Sequence, residues 1–370
     1  MGHKRRSEAV WIEARARWQI NVQRDGKRKT FTSSLPGRKG KHEAEAKADD
    51  WLEAGQPDDI RFDRAWEIFL AHLRRTTGSL HVIDFESIGR TWLLDTLGSK
   101  KLSRIRLDDL QSIVSTAGEK GRAKRTCKNI KAKIKAFCIF AADQQWECSA
   151  NPDKIKLPTK APAAKRTIIQ PEQLRILFAQ GTITRHGQQY PAFYIHAFRL
   201  MVTIGCRSGE LCGLQVDDFD GETITIRRSI NKLREITPGK TENAQRSIYL
   251  PDHAKAIMRD QEAMLRDLGI RSKYLFPMED GSASSPNHLW NHWRTYRAQH
   301  GIDCSIHELR HTFVSMMTTT LPASMLKAVV GHSESMDTDG VYSHEVDGDK
   351  KKAAAMIDSV LSKHLGGGTH

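Results

Sequence analysis

Residues 204–220 read IGCRSGELCGLQVDDFD, a stretch whose apolar first part, up to Leu214, is interrupted by one arginine and one glutamate. Arg207 and Glu210 are three apart, so on a helix they share a face, and the flanking glycines let backbone approach closely. A pair so spaced is ordinarily a solvated ion pair, and what it means here depends on the rest of the chain. Three further stretches bear on it. In TPGKTENAQRS (237–247), Lys240 stands at the tip of a predicted hairpin between KLREIT and RSIYL. In HELRHTF (307–313), His307 and Arg310 are one helical turn apart. In GHSESMDTDGVYSH (331–344), His332 precedes a lone tyrosine, Tyr342. Each is weak by itself: a turn lysine is usually solvated, and His-x-x-Arg arises by chance.

Together Arg207, Lys240, His307, Arg310, His332 and Tyr342 meet a chemical specification. Cleaving a phosphodiester without a metal needs a nucleophile, cations on the nonbridging oxygens and an acid for the leaving oxygen. Tyrosine can be the nucleophile, conserving the bond energy in a phosphotyrosine. Two arginines offer bidentate donors to a pentavalent phosphate. Lysine can protonate a departing 5′-oxygen, and histidine can assist proton removal. No Asp/Glu cluster with metal spacing competes, so neither metal nor other cofactor is expected.

The order Arg…Lys…His-x-x-Arg…Gly-His…Tyr, with its embedding text IGCRSGELCGLQVDDFD, KTENAQRSIYLP, IHELRHTFVSMM and LKAVVGHSESMDTDGVYSH, resembles the tyrosine recombinases, the phage and mobile-element integrase superfamily. The resemblance is strong over about 168–347 and looser over 58–150. It implies that Arg207 and Arg310 clamp the phosphate, Lys240 is the general acid and His307 is associated with base function. His332 would hydrogen-bond the scissile phosphate, Tyr342 would attack it, and Glu210 would hold the site in place.

Composition agrees with a DNA partner. The chain has 370 residues, 28% of them charged, a formal net charge of +14 and a pI near 9.5, a surplus that suits a polyanion. A membrane surface is disfavoured: no apolar run approaches the roughly 18 residues a span needs, and no hydrophobic segment follows the basic start. The six cysteines show no CxxC and no metal-like pairing with histidine, and read as reduced thiols of a cytoplasmic protein, here expected at a bacterial nucleoid.

The expected architecture is multidomain α+β. Residues 1–57 combine alternating strands around an Asp25-Gly26 turn with a short helix, and residues 1–42 hold 12 Lys/Arg against 3 acids. Lys27, Arg28 and Lys29 lie there, and the resemblance makes this an arm-site DNA-binding module of a sheet plus helix. Residues 58–150 show apolar residues at three- and four-residue spacing, an all-helical core-binding domain. Its segment 120–135 has eight Lys/Arg and no acid, including Lys120, Arg122, Lys124, Arg125, Lys128 and Lys131, favouring a phosphate-tracking surface over a merely solvated one. Residues 151–167, with Lys160, Lys165 and Arg166, read as an extended basic linker. Residues 168–347 should form a mainly helical catalytic domain with a small antiparallel sheet, the fold of tyrosine recombinases. The tail 348–370 carries an amphipathic stripe expected to dock on a neighbouring protomer, or else on its own domain.

The resemblance implies strand exchange through 3′-phosphotyrosine links and a Holliday junction, by a homotetramer on double-stranded DNA with core and arm sites. An excisionase and a DNA-bending protein would be its accessory partners. A relaxing enzyme of the type IB topoisomerase kind, an Xer-like chromosome resolvase and a non-catalytic DNA-binding regulator stand as alternatives.

Overall fold

The computed structural model describes residues 7–24, 27–53, 60–148, 150–159, 162, 167–238, 245–331 and 348–366. The chain divides into two compact units, Met1–Ala164 and Lys165–His370.

The first unit holds two separate cores. Strands β1 (Val10–Ile12), β2 (Arg17–Arg24) and β3 (Lys27–Ser33) form an antiparallel sheet in that order, covered by α1 (Gly37–Glu53). Alternation turns Ile20 and Val22 toward Ala44 and Ala48 of the helix, with Trp18, Phe31 and Trp51 around them. Register pairs Val22 with Lys29 and Ile20 with Phe31, so Lys29 stands on the helix side. Its ammonium lies over the rings of Phe31 and Trp51, at 5.3 and 5.8 Å. Gln19, Asn21, Arg28, Thr30 and Thr32 occupy the other face, turned away from α1.

The second core belongs to α2 (Phe62–Thr76), α3 (Ser79–Ile88), α4 (Leu94–Leu97), α5 (Leu107–Glu119) and α6 (Lys124–Asp143). Phe62, Trp66, Phe69, Phe85 and Phe137 meet ring to ring at its centre. Packing continues past residue 150: Ile155 is buried and Leu157 rests on the same core. Gln111 brackets the backbone of Lys156, donating to its carbonyl and accepting from its N–H. The start of the expected linker is therefore fastened down. Lys131 also serves this purpose, its Nζ donating to the Asp153 and Ile155 carbonyls. Lys133 points inward, paired with Asp84 at 2.7 Å.

The second unit is built around α8 (Ile195–Ile204), which is apolar nearly all round and has eight of its ten residues buried. Before it come α7 (Pro171–Ala179) and the hairpin β4 (Thr182–Arg185) and β5 (Gln188–Pro191). The sequence gives no clear strand pattern there; His186 and Gly187, both at positive φ, make the tight turn. After α8 follow α9 (Ser208–Gly213), β6 (Thr223–Ile226), β7 (Ser229–Ile230), β8 (Ile236–Thr237) and β9 (Arg246–Tyr249). Then come α10 (Asp252–Asp267), α11 (Pro286–Gln299), α12 (Ile306–Met317), α13 (Ala323–Val330) and α14 (Asp349–Leu365).

The strand pairing corrects the hairpin expected around Lys240. β8 pairs with β7, not with β9, and β9 pairs with β6. The true turn is at 231–235, where the Asn231 side chain accepts from the N–H groups of Leu233 and Glu235. Lys240 belongs to the connection between β8 and β9, outside the described residues.

α14 packs on its own unit. Ala353, Ala354, Ile357, Val360 and Leu361 are buried, and Asp358 accepts hydrogen bonds from the first backbone N–H groups of α10 and pairs with His253 at 2.7 Å. The expected amphipathic stripe exists, but in the single chain it is satisfied in cis. Docking on a neighbouring protomer would require these contacts to be exchanged for the neighbour's.

Candidate active site

Gly205 ends α8 at φ 65°, in the left-handed region, and a Cβ there would run into the Phe313 ring on α12. Only glycine lets the chain turn this close to the neighbouring helix. The turn exposes the Gly205 carbonyl to Arg310, whose Nη1 donates to it at 2.7 Å.

Two residues later, Arg207 is the N-cap of α9 and Glu210 its third helical residue. The Arg207 N–H donates to Glu210 Oε2 at 2.9 Å, and its guanidinium donates to Oε1 at 2.6 Å. The three-residue spacing therefore makes a helix cap as well as an ion pair. Gly209 is equally constrained, since a Cβ there would meet the Ser229 hydroxyl at 2.5 Å and the Ile230 carbonyl at 2.8 Å.

Glu210 is 3% exposed. A second arginine, Arg246 of β9, holds it through Nη2 at 2.9 Å and Nη1 at 3.3 Å. Burial pushes the Glu210 carboxyl up, but hydrogen bonds and charge from Arg246, joined by Arg207, outweigh this and hold it below the usual carboxylate range. Arg246 Nε donates to the Val329 carbonyl at 2.6 Å, and Arg207 Nη2 donates to the Gly331 carbonyl at 3.2 Å. One carboxylate thus ties together α9, β9 and the C-terminal end of α13, and the residue after Gly331 is His332.

Arg310 is also 3% exposed. Burial, then the nearby charge of Arg207, pushes its pKa down to about 10, while Glu210 opposes the shift. The guanidinium stays charged at neutral pH. Its Nη2 is buried and has no hydrogen-bond partner among the described residues. A buried donor on a charged group is costly to leave unpaired, and an anionic oxygen would satisfy it.

His307 lies one turn before Arg310 on α12 and is exposed, its ring edge-on to that of His311 at 4.8 Å. Glu308, between them, caps α12 and accepts from the Thr167 N–H at 2.8 Å, fixing the chain's entry into this unit. The structure thus brings together Arg207, Glu210 and Arg310 and adds Arg246, which the motif reading passed over. Its signal was present: period-two alternation puts Arg246 on the buried face with Ile248 and Leu250, where an arginine demands an acid partner.

Lys240, His332 and Tyr342 lie outside the described residues, as do Lys160, Lys165 and Arg166; of Lys27 only the backbone is described. Arg28, Lys120, Arg122, Lys124, Arg125 and Lys128 are exposed, Lys120 lying over the Trp92 ring at 5.6 Å. No helix among the described residues is long and apolar enough to cross a membrane.

The chain is similar to several recombinases. The XerC-like tyrosine recombinase of Caldanaerobacter subterraneus subsp. tengcongensis is 21% identical over 92% of this chain and 95% of its own length. Tyrosine recombinase XerC of Mycobacterium tuberculosis is 23% identical over 66% of this chain and 80% of its own. Among solved structures, the Tn1549 transposon integrase in complex with transposon right end DNA has a TM-score of 0.63 at 18% identity, covering 79% of this chain and 98% of that one. A lambda integrase tetramer bound to a Holliday junction has a TM-score of 0.60 at 12% identity, covering 92% and 99%. Likeness at such identities is one of fold. Residues 170–348, the span that carries the arginine–glutamate network, match the phage integrase family, and with the recombinase relatives this region is that of a tyrosine recombinase.

Proposed function

We propose that this tyrosine recombinase is the integrase of a mobile element, a phage or conjugative transposon, joining and excising DNA by strand exchange at specific sites. The observation that carries the proposal is the buried network in which Glu210 and the Gly205 carbonyl hold Arg207 and Arg310 beside Gly331. Two oriented guanidinium groups can neutralise the nonbridging oxygens of one phosphate, and they need no reorganisation when charge develops. Tyr342 attacks the phosphorus, forming the tyrosine–3′-phosphate bond and breaking the bond to the 5′-oxygen, which Lys240 protonates as it leaves. His332 hydrogen-bonds the same phosphate and His307 assists removal of the tyrosine proton. Rejoining reverses these steps with a 5′-hydroxyl from the partner strand. Two rounds, one pair of strands at a time, pass through a Holliday junction in a homotetramer.

The integrase reading is favoured over chromosome resolution by the N-terminal sheet and α1, an extra module with its own core and a basic sequence suited to arm-site DNA. The Xer-type reading keeps the support of the curated relatives, one of which, XerC-like, matches 92% of this chain. Core sites would engage the exposed basic residues of α6, with an excisionase and a bending protein as accessory partners, and the cytoplasmic nucleoid as the place of action.

The decisive test uses a suicide substrate nicked next to a candidate crossover site. The wild-type chain should accumulate a denaturant-resistant adduct, and Tyr342→Phe should form none while binding the same DNA. An adduct with the phenylalanine variant would overturn the assignment.

A further inference from the structure

α11 and the loop before it carry a cluster that the recombination chemistry does not use. His288 and His292 are four apart on α11, on one face of the helix, and Glu279 comes from the loop between Phe276 and Ser285. Their ligating atoms all lie within 4.8 Å of one another. No metal site is expected from acid clusters or cysteine pairs in the sequence; two of the three groups are the histidines of PNHLWNH, and the third arrives only through the fold.

We propose that Glu279, His288 and His292 form a binding site for a divalent transition-metal ion of the zinc type. The distances decide between this and a plain polar cluster. Glu279 Oε2 is 3.5 Å from His288 Nε2, and Glu279 Oε1 is 3.6 Å from His292 Nε2. Both are too long for good hydrogen bonds. Each, measured to a different carboxylate oxygen, is close to the separation of about 3.4 Å between two ligands of a tetrahedral ion with bonds near 2.0–2.1 Å. His288 Nε2 is buried and has no hydrogen-bond partner among the described residues, an orphan that a metal ion satisfies. Two imidazoles and a carboxylate suit zinc and its neighbours better than calcium or magnesium, which prefer all-oxygen shells.

The groups are also held in place before any ion arrives. The Glu279 loop is a tight turn: Met278 N–H donates to the Ser282 carbonyl at 2.8 Å, and Gly281 N–H to the Met278 carbonyl at 2.9 Å. Tyr194 anchors that turn through its hydroxyl, which donates to the Pro277 carbonyl at 2.7 Å. The same tyrosine packs edge-on against both histidine rings, at 5.5 and 4.9 Å. On the helix side, Ser285 caps α11 by accepting from the His288 N–H. Three protein ligands leave a fourth position, and Glu279 and His292 line an open cavity of about 430 Å³ with Arg185 and His186, where water or an anion can complete the shell.

Tyr194 and Gly205 bracket the ten residues of α8, about 15 Å of helix at 1.5 Å per residue, so the ion sits well away from the arginine pair. The site would staple the turn before α11 to α11 itself, and so stabilise the catalytic unit without entering its chemistry.

The test uses the full-length chain without a histidine tag, stripped with a chelator and titrated with Zn²⁺ alone. Wild type should bind one ion per chain at this site and show a zinc-dependent rise in Tm. The double variant His288→Gln/His292→Gln should lose at least about 100-fold in affinity and the Tm response, more than loss of a hydrogen bond to a ligand causes. Its Tm in chelator should equal that of wild type in chelator, which separates a lost ligand from a damaged fold. With Co²⁺ as probe, the spectrum should show d–d bands without thiolate charge transfer. A wild-type chain that binds no zinc, a double variant that binds it equally, or a thiolate band would each overturn the proposal.

Discussion

Arg246 shares the Glu210 carboxylate with Arg207 and also holds the Val329 carbonyl, so its loss would leave a buried acid facing one partly exposed arginine. Arg246→Ala should cost about 3–5 kcal/mol, the typical effect of removing one partner of a buried pair. It should also depress DNA cleavage, because Arg207 loses the fixed acid that orients it. The double variant Arg246→Met/Glu210→Leu removes both charges; it should recover much of the stability but not the cleavage. Denaturant unfolding and adduct yield read the two effects separately, and an Arg246→Ala chain as stable as wild type would refute the argument. The contrast also shows what sequence carries at this scale. Arg207 with Glu210 is legible because the pair lies within one helical turn. Arg246 meets Glu210 across 36 residues, and Glu279 meets His288 and His292 through a loop, so chain folding and not local spacing makes those contacts.

At the scale of elements, helices with a clear apolar stripe were readable, and α14 is an example: its period marked the face that is in fact buried. What it packs against was not readable, because a stripe specifies an apolar partner without naming one. Likewise the alternation of β6 to β9 revealed strands, while the pairing depended on a turn at Asn231 that competes with the Pro-Gly pair nearer Lys240. Burying Ile357, Val360 and Leu361 contributes roughly 1.5–3 kcal/mol each. Deleting residues 348–370 should therefore lower the Tm of the isolated chain before any assembly is tested; a helix that docks only in trans would leave it unchanged. Asp358 adds a pH signature. Burial pushes its pKa up, but the hydrogen bond from His253 and the N–H groups of Asp252 and His253 hold it below the usual value. A depressed carboxylate contributes stability in full above its unfolded pKa of about 3.9 and loses it as pH falls through the folded value. The Tm gap between wild type and Asp358→Asn should narrow as pH falls below about 4 and close in stronger acid. A gap independent of pH over that range would show that the charge of Asp358 contributes nothing.

Across the whole molecule, a net charge of +14 is distributed over regions with independent cores, which makes their contributions to DNA binding separable. The sheet-and-α1 module buries Ile20, Val22, Ala44 and Ala48 among themselves, whereas α6 packs through Ile130, Ile134 and Phe137 into the aromatic core. Removing residues 1–57 therefore leaves the aromatic core intact, together with the exposed Lys124, Arg125 and Lys128 on α6. Each phosphate neutralised adds about −0.9 to the slope of log K against log[salt]. The open face of the sheet presents Arg28 among Gln19, Asn21, Thr30 and Thr32, a mixture of charge and hydrogen-bonding groups suited to a groove. On DNA that carries arm and core sites the full chain should show a steeper slope than the truncated one. The difference counts the phosphates held by the sheet module. On a core site alone the two slopes should coincide, and cleavage by the truncated chain should remain measurable. If truncation abolishes core-site binding instead, the module's basic residues belong to the core interface, and the division of labour between arm and core fails.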